Sequence, residues 1–343
     1  MTKESEDAEF YKLDPQWMSP PMVYFGGKRL IASDIWQRLG DPHSFVDPFC
    51  GTCSILLARP TPPRLETVND VDGFLVNVFR SIRYDPDAVA TYADQPVHEC
   101  TKHAIHTWLV NRRDSLVAKL EADPEYHDPK LAGWWLFGKA CHIGSGWCGG
   151  EGPWHSIDGQ LLNEKDGPNG RGVNRSLPHL AGSGQGVNRS LPQIPDRGVN
   201  TAANISAMKT WFRALSARFR RVRITCGDWT RVLGPSITTG NGIAAVVLDP
   251  PYYGIEQYYA AISPNIAKDV EKWAIENGEH EDMRIAVCGY EGDYNFPATW
   301  ECMAWAAAGG YGLQRKDGKN DNNRRERIWF SPNCLKPELD LFG

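Results

Sequence analysis

Two hydrophobic periods alternate along this chain. Ser44-Phe45-Val46-Asp47 reads as a short strand running into a glycine-containing turn, Asp47 to Ser54, and Glu66 to Asp70 reads as a second strand that again ends on an acid. Gly73 to Arg83 then carries Phe74, Leu75, Val78, Phe79 and Ile82 at helical spacing. The pattern returns late in the chain. Ile205, Met208, Trp211, Phe212, Leu215 and Phe219 form a helical stripe, Arg221 to Thr225 alternates as a strand, and Ile243 to Leu248 is a continuous apolar run. Such a run suits the centre of a parallel sheet covered on both faces. Ile285 to Gly289 is a further candidate strand. Strands alternating with helices predict an α/β fold with a largely parallel sheet.

The middle of the chain breaks this rhythm. Residues 101–120 predict one helix, with Ile105, Trp108, Leu109, Leu116, Val117 and Leu120 as its apolar set. After Ile143 the composition turns to Gly, Asn, Ser and Pro, and the heptapeptide GVNRSLP occurs at 172–178 and again at 186–192. The period is too short for a solenoid, so the repeat reads as two similar loops, each offering an Arg, an Asn and a Ser. A catalytic domain formed by residues 15–83 and 206–335, split by an insert at 84–205 and preceded by a polar tail at 1–14, accounts for the pattern. An insert of that length exceeds ordinary connecting loops.

Charge sharpens the picture. The 343 residues carry a net charge of −5. Between Arg171 and Arg231, however, there are eleven bases and only two acids, a net +9 against −14 for the rest. A second basic run spans Arg315 to Arg327. Positive charge concentrated on an otherwise acidic protein is what a polyanion-binding face requires. No apolar run approaches the roughly 20 residues needed to cross a bilayer. The amino terminus is polar and acidic, unlike a secretory signal. Nine scattered Cys read as reduced thiols of a cytoplasmic protein.

The sharpest chemical signal is Asp249-Pro250-Pro251-Tyr252, directly after the apolar run. In an open parallel sheet the reactive site lies at the carboxyl ends of the strands. An amine on a heteroaromatic ring is a weak nucleophile because its lone pair is delocalised. Asp249 and the Pro250 carbonyl are suited to accept its two N–H bonds, the prolines fix the backbone, and Tyr252 is suited to stack on a base. Upstream, Gly51 permits close backbone approach, Asp70 is placed to accept ribose hydroxyls, and Asp228 to take an adenine amino group. Tyr24-Phe25-Gly26-Gly27-Lys28, ahead of a helix beginning near Leu30, is suited to hold an anionic group; it lacks P-loop spacing.

Other chemistries fit less well. Cys50-x-x-Cys53 has redox spacing but lies inside the glycine turn. Cys141, His142, Cys148 and His155 match no zinc pattern, so no metal is expected. No Pro-Cys dipeptide exists for a carbon-5 cytosine methyltransferase. Trp147 and Trp154, among glycines, are the tryptophans expected to meet DNA, alongside Arg175, Arg189 and Arg197.

VYFGGKRL, FVDPFCGTCSILL, VNDVDGFLVNVFR, CGDW, VVLDPPYYG, IAVCGY and ERIWFSP stand in an order that resembles the Dam-type adenine-specific DNA methyltransferases, phage members included. The resemblance implies a Rossmann-like, S-adenosylmethionine-dependent methyltransferase sheet with an inserted, loop-rich and partly helical target-recognition region. By position, Tyr24, Phe25, Gly27, Lys28, Asp47, Phe49, Gly51, Asp70, Asp228 and Asp249 would line the cofactor, and Asp249 to Tyr252 would grip the base. It further implies methyl transfer to the N6 of a flipped adenine in double-stranded DNA, site-specific or relaxed. The expected setting is the cytoplasm of a bacterium or phage-infected cell, with no obligatory protein partner. Cytosine-N4 or RNA amino methylation, and a non-catalytic DNA-binding relic, are the alternatives. Cys53 departs from the family, which usually has a second glycine there.

Overall fold

The computed structural model describes residues 14, 18–22, 27–141, 147–148, 154–157, 160–163, 202–251, 265–305 and 325–336. The chain divides into two compact units, one of residues 1–20, 24–71 and 220–343, the other of 21–23 and 72–219.

The first unit is built on a seven-stranded sheet: β1 (Ser44–Asp47), β2 (Leu65–Asp70), β5 (Arg223–Cys226), β6 (Ala244–Leu248), β7 (Met283–Tyr290), β8 (Glu301–Ala304) and β9 (Glu326–Phe330), in the order β5-β2-β1-β6-β7-β9-β8. The first five of these are parallel neighbours, while β9 runs antiparallel between β7 and β8. Taken in chain order, the parallel strands lie 3-2-1-4-5, the order of a doubly wound sheet, with the direction of winding reversing between β1 and β6. Every residue of β1 and of β6 is buried, as continuous apolar strands at a sheet centre must be.

Both faces are covered. On one, Val46, Val246, Leu248, Ile285, Val287 and Trp329 pack with Ile266, Ala267, Val270 and Ala274 of helix α9 (Ile266–Asn277). On the other lies helix α1 (Ala32–Leu39), whose Trp36 ring sits 5.0 Å from Phe45 and whose Arg38 lies over Phe330. Trp36 also donates its indole N–H to the Ile55 carbonyl of the short helix α2 (Ser54–Leu57). At the far edge Arg38 grips the Glu301 carboxylate through both guanidinium nitrogens, which anchors β8 to α1.

The second unit contains helices α3 (Gly73–Tyr84), α4 (Pro86–Ala93), α5 (Glu99–Val110), α6 (Arg113–Ala122), α7 (Pro129–Cys141) and α8 (Ala202–Phe219), with a hairpin of β3 (Trp154–Ile157) and β4 (Gln160–Asn163). Its centre is α3, buried on nearly every side; Phe74 stacks on Trp135, and Phe79 meets Phe219. Arg80 turns inward and its Nη1 donates to the carbonyls of Leu120 and Asp123, so main-chain oxygens partner a buried guanidinium. At Gly133 any Cβ would lie 2.4 Å from Tyr92 Cβ and 2.6 Å from the Val89 carbonyl; only glycine lets α7 cross α4 this closely.

The stretch 101–120, expected as one helix, is two. The chain breaks at Asn111 and Arg112 because its apolar residues serve different neighbours. Ile105 and Leu109 belong to α5, which packs on α7, whereas Leu116 and Leu120 close over Gly73 of α3. The insert was expected to be loop-rich and partly helical; the hairpin and the particular helix α7 were not singled out within it. A hydrophobic helix such as α7 lacks the one-sided stripe from which helical period is read. The repeated GVNRSLP loops, with Arg175, Arg189 and Arg197, lie outside the described residues.

Candidate active site

The carboxyl edge of the parallel strands collects acids around the switch point. Asp47 ends β1, Asp70 ends β2, Asp249 follows β6, and Glu326 joins them because β9 is antiparallel and starts at this edge, opposite Tyr290 of β7.

Asn69 ties the loops after β1 and β5 to β2. Its amide donates to the carbonyls of Pro48 (3.1 Å) and Gly227 (2.9 Å), and its oxygen accepts from Thr225 Oγ1. Its own carbonyl receives Cys50 N, so the glycine turn hangs from β2. Gly51, at φ +46°, has open space where a side chain would stand, and its N–H donates to Asp70 Oδ2 at 3.0 Å. The turn thus presents bare backbone beside a carboxylate, the arrangement that lets a ligand lie close. Cys53 caps α2 at φ 57°, left-handed backbone that costs a non-glycine residue about 1–2 kcal/mol. Its side chain is wholly buried. Burial and the neighbouring Cys53 push the Cys50 thiol well up, which disfavours the thiolate that a reactive redox pair needs.

Asp228 caps the 3-10 turn Trp229–Val232, accepting from Thr230 N and from its hydroxyl, and remains exposed. Behind it Trp229 stacks on Phe49, ring centroids 5.7 Å apart, which gives the edge an aromatic floor.

The centre of the site is an ion pair. Lys28 Nζ lies 2.8 Å from Asp249 Oδ2, with the Lys28 side chain only 4% exposed and that of Asp249 22%. Burial by itself lowers the Lys28 pKa, yet the Asp249 carboxylate, with Cys288 and Glu326, carries it above an ordinary lysine. Asp47 is pushed the other way. Burial, then the charges of Asp249 and Asp70, hold its carboxyl well above the usual range, and its Oδ1 is buried with no hydrogen-bond partner. Burial and Asp249 likewise raise the Cys288 thiol. Pro250 and Pro251 are buried behind Asp249.

Of the residues expected at the site, Gly27, Lys28, Asp47, Phe49, Gly51, Asp70, Asp228, Asp249, Pro250 and Pro251 are described and belong to the sheet unit. Tyr24, Phe25 and Tyr252 lie outside the described residues. Lys28, expected to meet a cofactor anion, pairs with the Asp249 carboxylate. Trp147, expected to face DNA, is buried, stacks on His106 and lies so near Gly138 that a Cβ there would fall 1.8 Å from its ring. Glu326, Cys288 and Tyr290 were not singled out. The polar residue opening the alternation Glu-Arg-Ile-Trp-Phe was the available signal, but neighbouring charges concealed it.

Among the described residues no helix is long and apolar enough to cross a membrane. A search of curated proteins finds no match to the chain. Comparison with protein families does. Residues 24–118 match the family model described as D12 class N6 adenine-specific DNA methyltransferase. That stretch holds Lys28, Asp47, Phe49, Gly51 and Asp70, while Asp249 to Tyr252 lie beyond it. The seven-stranded, mostly parallel sheet is that of a Rossmann-like methyltransferase. Residues 24–118 are thus similar to the D12 class of N6 adenine-specific DNA methyltransferases, the class that the motifs along the chain resemble.

Proposed function

We propose that the protein transfers a methyl group from S-adenosylmethionine to the N6 of an adenine turned out of double-stranded DNA, in the cytoplasm. The observation that carries this reading is Asp249 at the switch-point edge, beside the strand-end acids Asp47 and Asp70. The residues present fit the cofactor class. Asp47 Oδ1 is a buried acceptor awaiting a donor, and the Gly51 turn offers bare backbone next to Asp70. Asp70 would take the ribose hydroxyls, Asp228 the adenine amino group, and the acidic edge as a whole favours a ligand with positive charge. Bound there, the cofactor supplies a methyl already activated on a sulfonium.

The protein's own part is positioning. Asp249 and the Pro250 carbonyl accept the two N–H bonds of the substrate amine. Those bonds draw the lone pair out of the ring and strengthen as the nitrogen gains positive character. Asp249 is also the group placed to hold the surplus proton. Buried prolines keep both acceptors fixed, so orientation is prepaid. Tyr252 would stack on the base, worth about 1–3 kcal/mol as in other base–aromatic contacts. Asp249→Asn tests the assignment. It keeps shape and one acceptor, and single-turnover transfer to unmethylated duplex should fall by about 100-fold or more with S-adenosylmethionine still bound. Transfer at the wild-type rate would remove Asp249 from the reaction.

A further inference from the structure

Asp249 has to share its charge between the substrate and Lys28. In this structure its Oδ2 is engaged by the Lys28 ammonium at 2.8 Å, while the functional reading, on which this inference rests, requires it to accept an N–H of the incoming base. A buried ammonium left without a counter-charge costs several kcal/mol. When the base draws on that charge, a second carboxylate on the same side keeps Lys28 paired.

The sheet places one there. Glu326 opens β9 in register with Tyr290, so the two side chains stand on one face, and Cys288, two residues along β7, shares it. The opposite face of these strands carries Ile285, Val287 and Trp329 into the core under α9. Phe330, four residues from Glu326 and therefore on its face, lies beneath Arg38 of α1. Lys28 lies four residues ahead of α1, the helix that covers the face on which Glu326 stands. Glu326 is a carboxylate only 7% exposed.

We propose that Glu326 is a positioning residue: it is the second seat of the Lys28 ammonium, taking it over as Asp249 turns to the substrate amine. Glu326 already acts electrostatically on Lys28, as well as on Cys288 and Tyr290, which places its charge at this point. Asp47 is the poorer seat, since burial and its acidic neighbours hold its carboxyl toward the protonated form. The handover keeps the ammonium buried and paired throughout. It also leaves a positive charge close enough to keep Asp249 an acceptor rather than a donor.

The test compares Glu326→Gln and Glu326→Asp in the full-length protein, by single-turnover methylation of unmethylated duplex and by binding of S-adenosylmethionine. Gln should slow transfer by about tenfold or more with cofactor affinity within about twofold, and Asp should recover most of the rate. Wild-type transfer in the Gln variant overturns the proposal. So does equal loss in both variants when both melt at the wild-type temperature. Should the Gln variant fail to fold, the wild-type complex with S-adenosylhomocysteine and adenine-containing duplex decides. Lys28 Nζ within about 4 Å of Glu326 supports the handover, and Nζ still on Asp249 refutes it. If wild-type protein transfers no methyl to DNA at all, the functional reading fails rather than the role of Glu326.

Discussion

Removing Asp249 should damage the fold as well as the chemistry, and the two effects can be separated. Asp249→Ala leaves the Lys28 ammonium, 4% exposed, without the carboxylate 2.8 Å away. At that distance and an effective dielectric near 20, the gross attraction is about 6 kcal/mol. The desolvation already borne by Lys28 offsets much of this, and breaking such a buried pair from one side typically costs about 3–5 kcal/mol. Asp249 is itself partly open to water and Glu326 remains nearby, so the lower end applies, about 3 kcal/mol. For a unit of roughly 200 residues that is a fall in Tm of roughly 6–12 °C. Lys28→Met alone should cost less, because the surviving carboxylate can be hydrated. In Asp249→Ala/Lys28→Met no charge is stranded, and stability should return to within about 1–2 kcal/mol of wild type, although the double variant transfers no methyl. Thermal and urea unfolding of the four proteins measure the cycle. A wild-type Tm in Asp249→Ala, or strictly additive losses in the double variant, would refute the reasoning.

Asp47→Asn should stabilise the protein and weaken its cofactor affinity. The folded pKa of Asp47 lies above the unfolded one, so the folded state binds the extra proton and stability falls as pH rises above 3.8 toward the folded value; the gain from Asn is therefore larger at pH 8 than at pH 5. An equal gain in urea midpoint at both pH values would contradict this. Gly133→Val forces α7 off α4 and should cost about 3 kcal/mol or more, read as lost Tm; an unchanged Tm would mean the crossing is looser than the 2.4 Å approach indicates. Arg175→Ala with Arg189→Ala should weaken DNA binding and flatten its dependence on salt by about two charges, and an unchanged slope would remove the repeat from the DNA interface.

Much of the sheet could be read before its structure was known, for physical reasons. β1, β2 and β6 are parallel strands whose interiors are buried; β6 is apolar throughout, β1 and β2 end on Asp47 and Asp70, and Asp249 directly follows β6. The chemistry follows strand ends, and Asp47, Asp70 and Asp249 are strand ends. Glu326 escaped notice because an antiparallel strand brings its beginning, not its end, to the active edge. The pairing of Lys28 with Asp249 was equally hidden. The two residues are far apart in sequence, and only the winding of the sheet joins them. In the helical unit the period misled: α7 is apolar all round, and the break between α5 and α6 has no glycine or proline to announce it. Trp147 lies among glycines in the sequence, yet it fills the space that Gly138 leaves.

The central claim is that the acidic edge beside Asp249 serves a base amine. Incubating the protein with labelled S-adenosylmethionine and unmethylated double-stranded DNA, then digesting the DNA to nucleosides, tests this directly. Label should appear in N6-methyladenine, and disappear with Asp249→Asn. Label confined to another nucleoside, or absent from DNA while the cofactor binds, would contradict it.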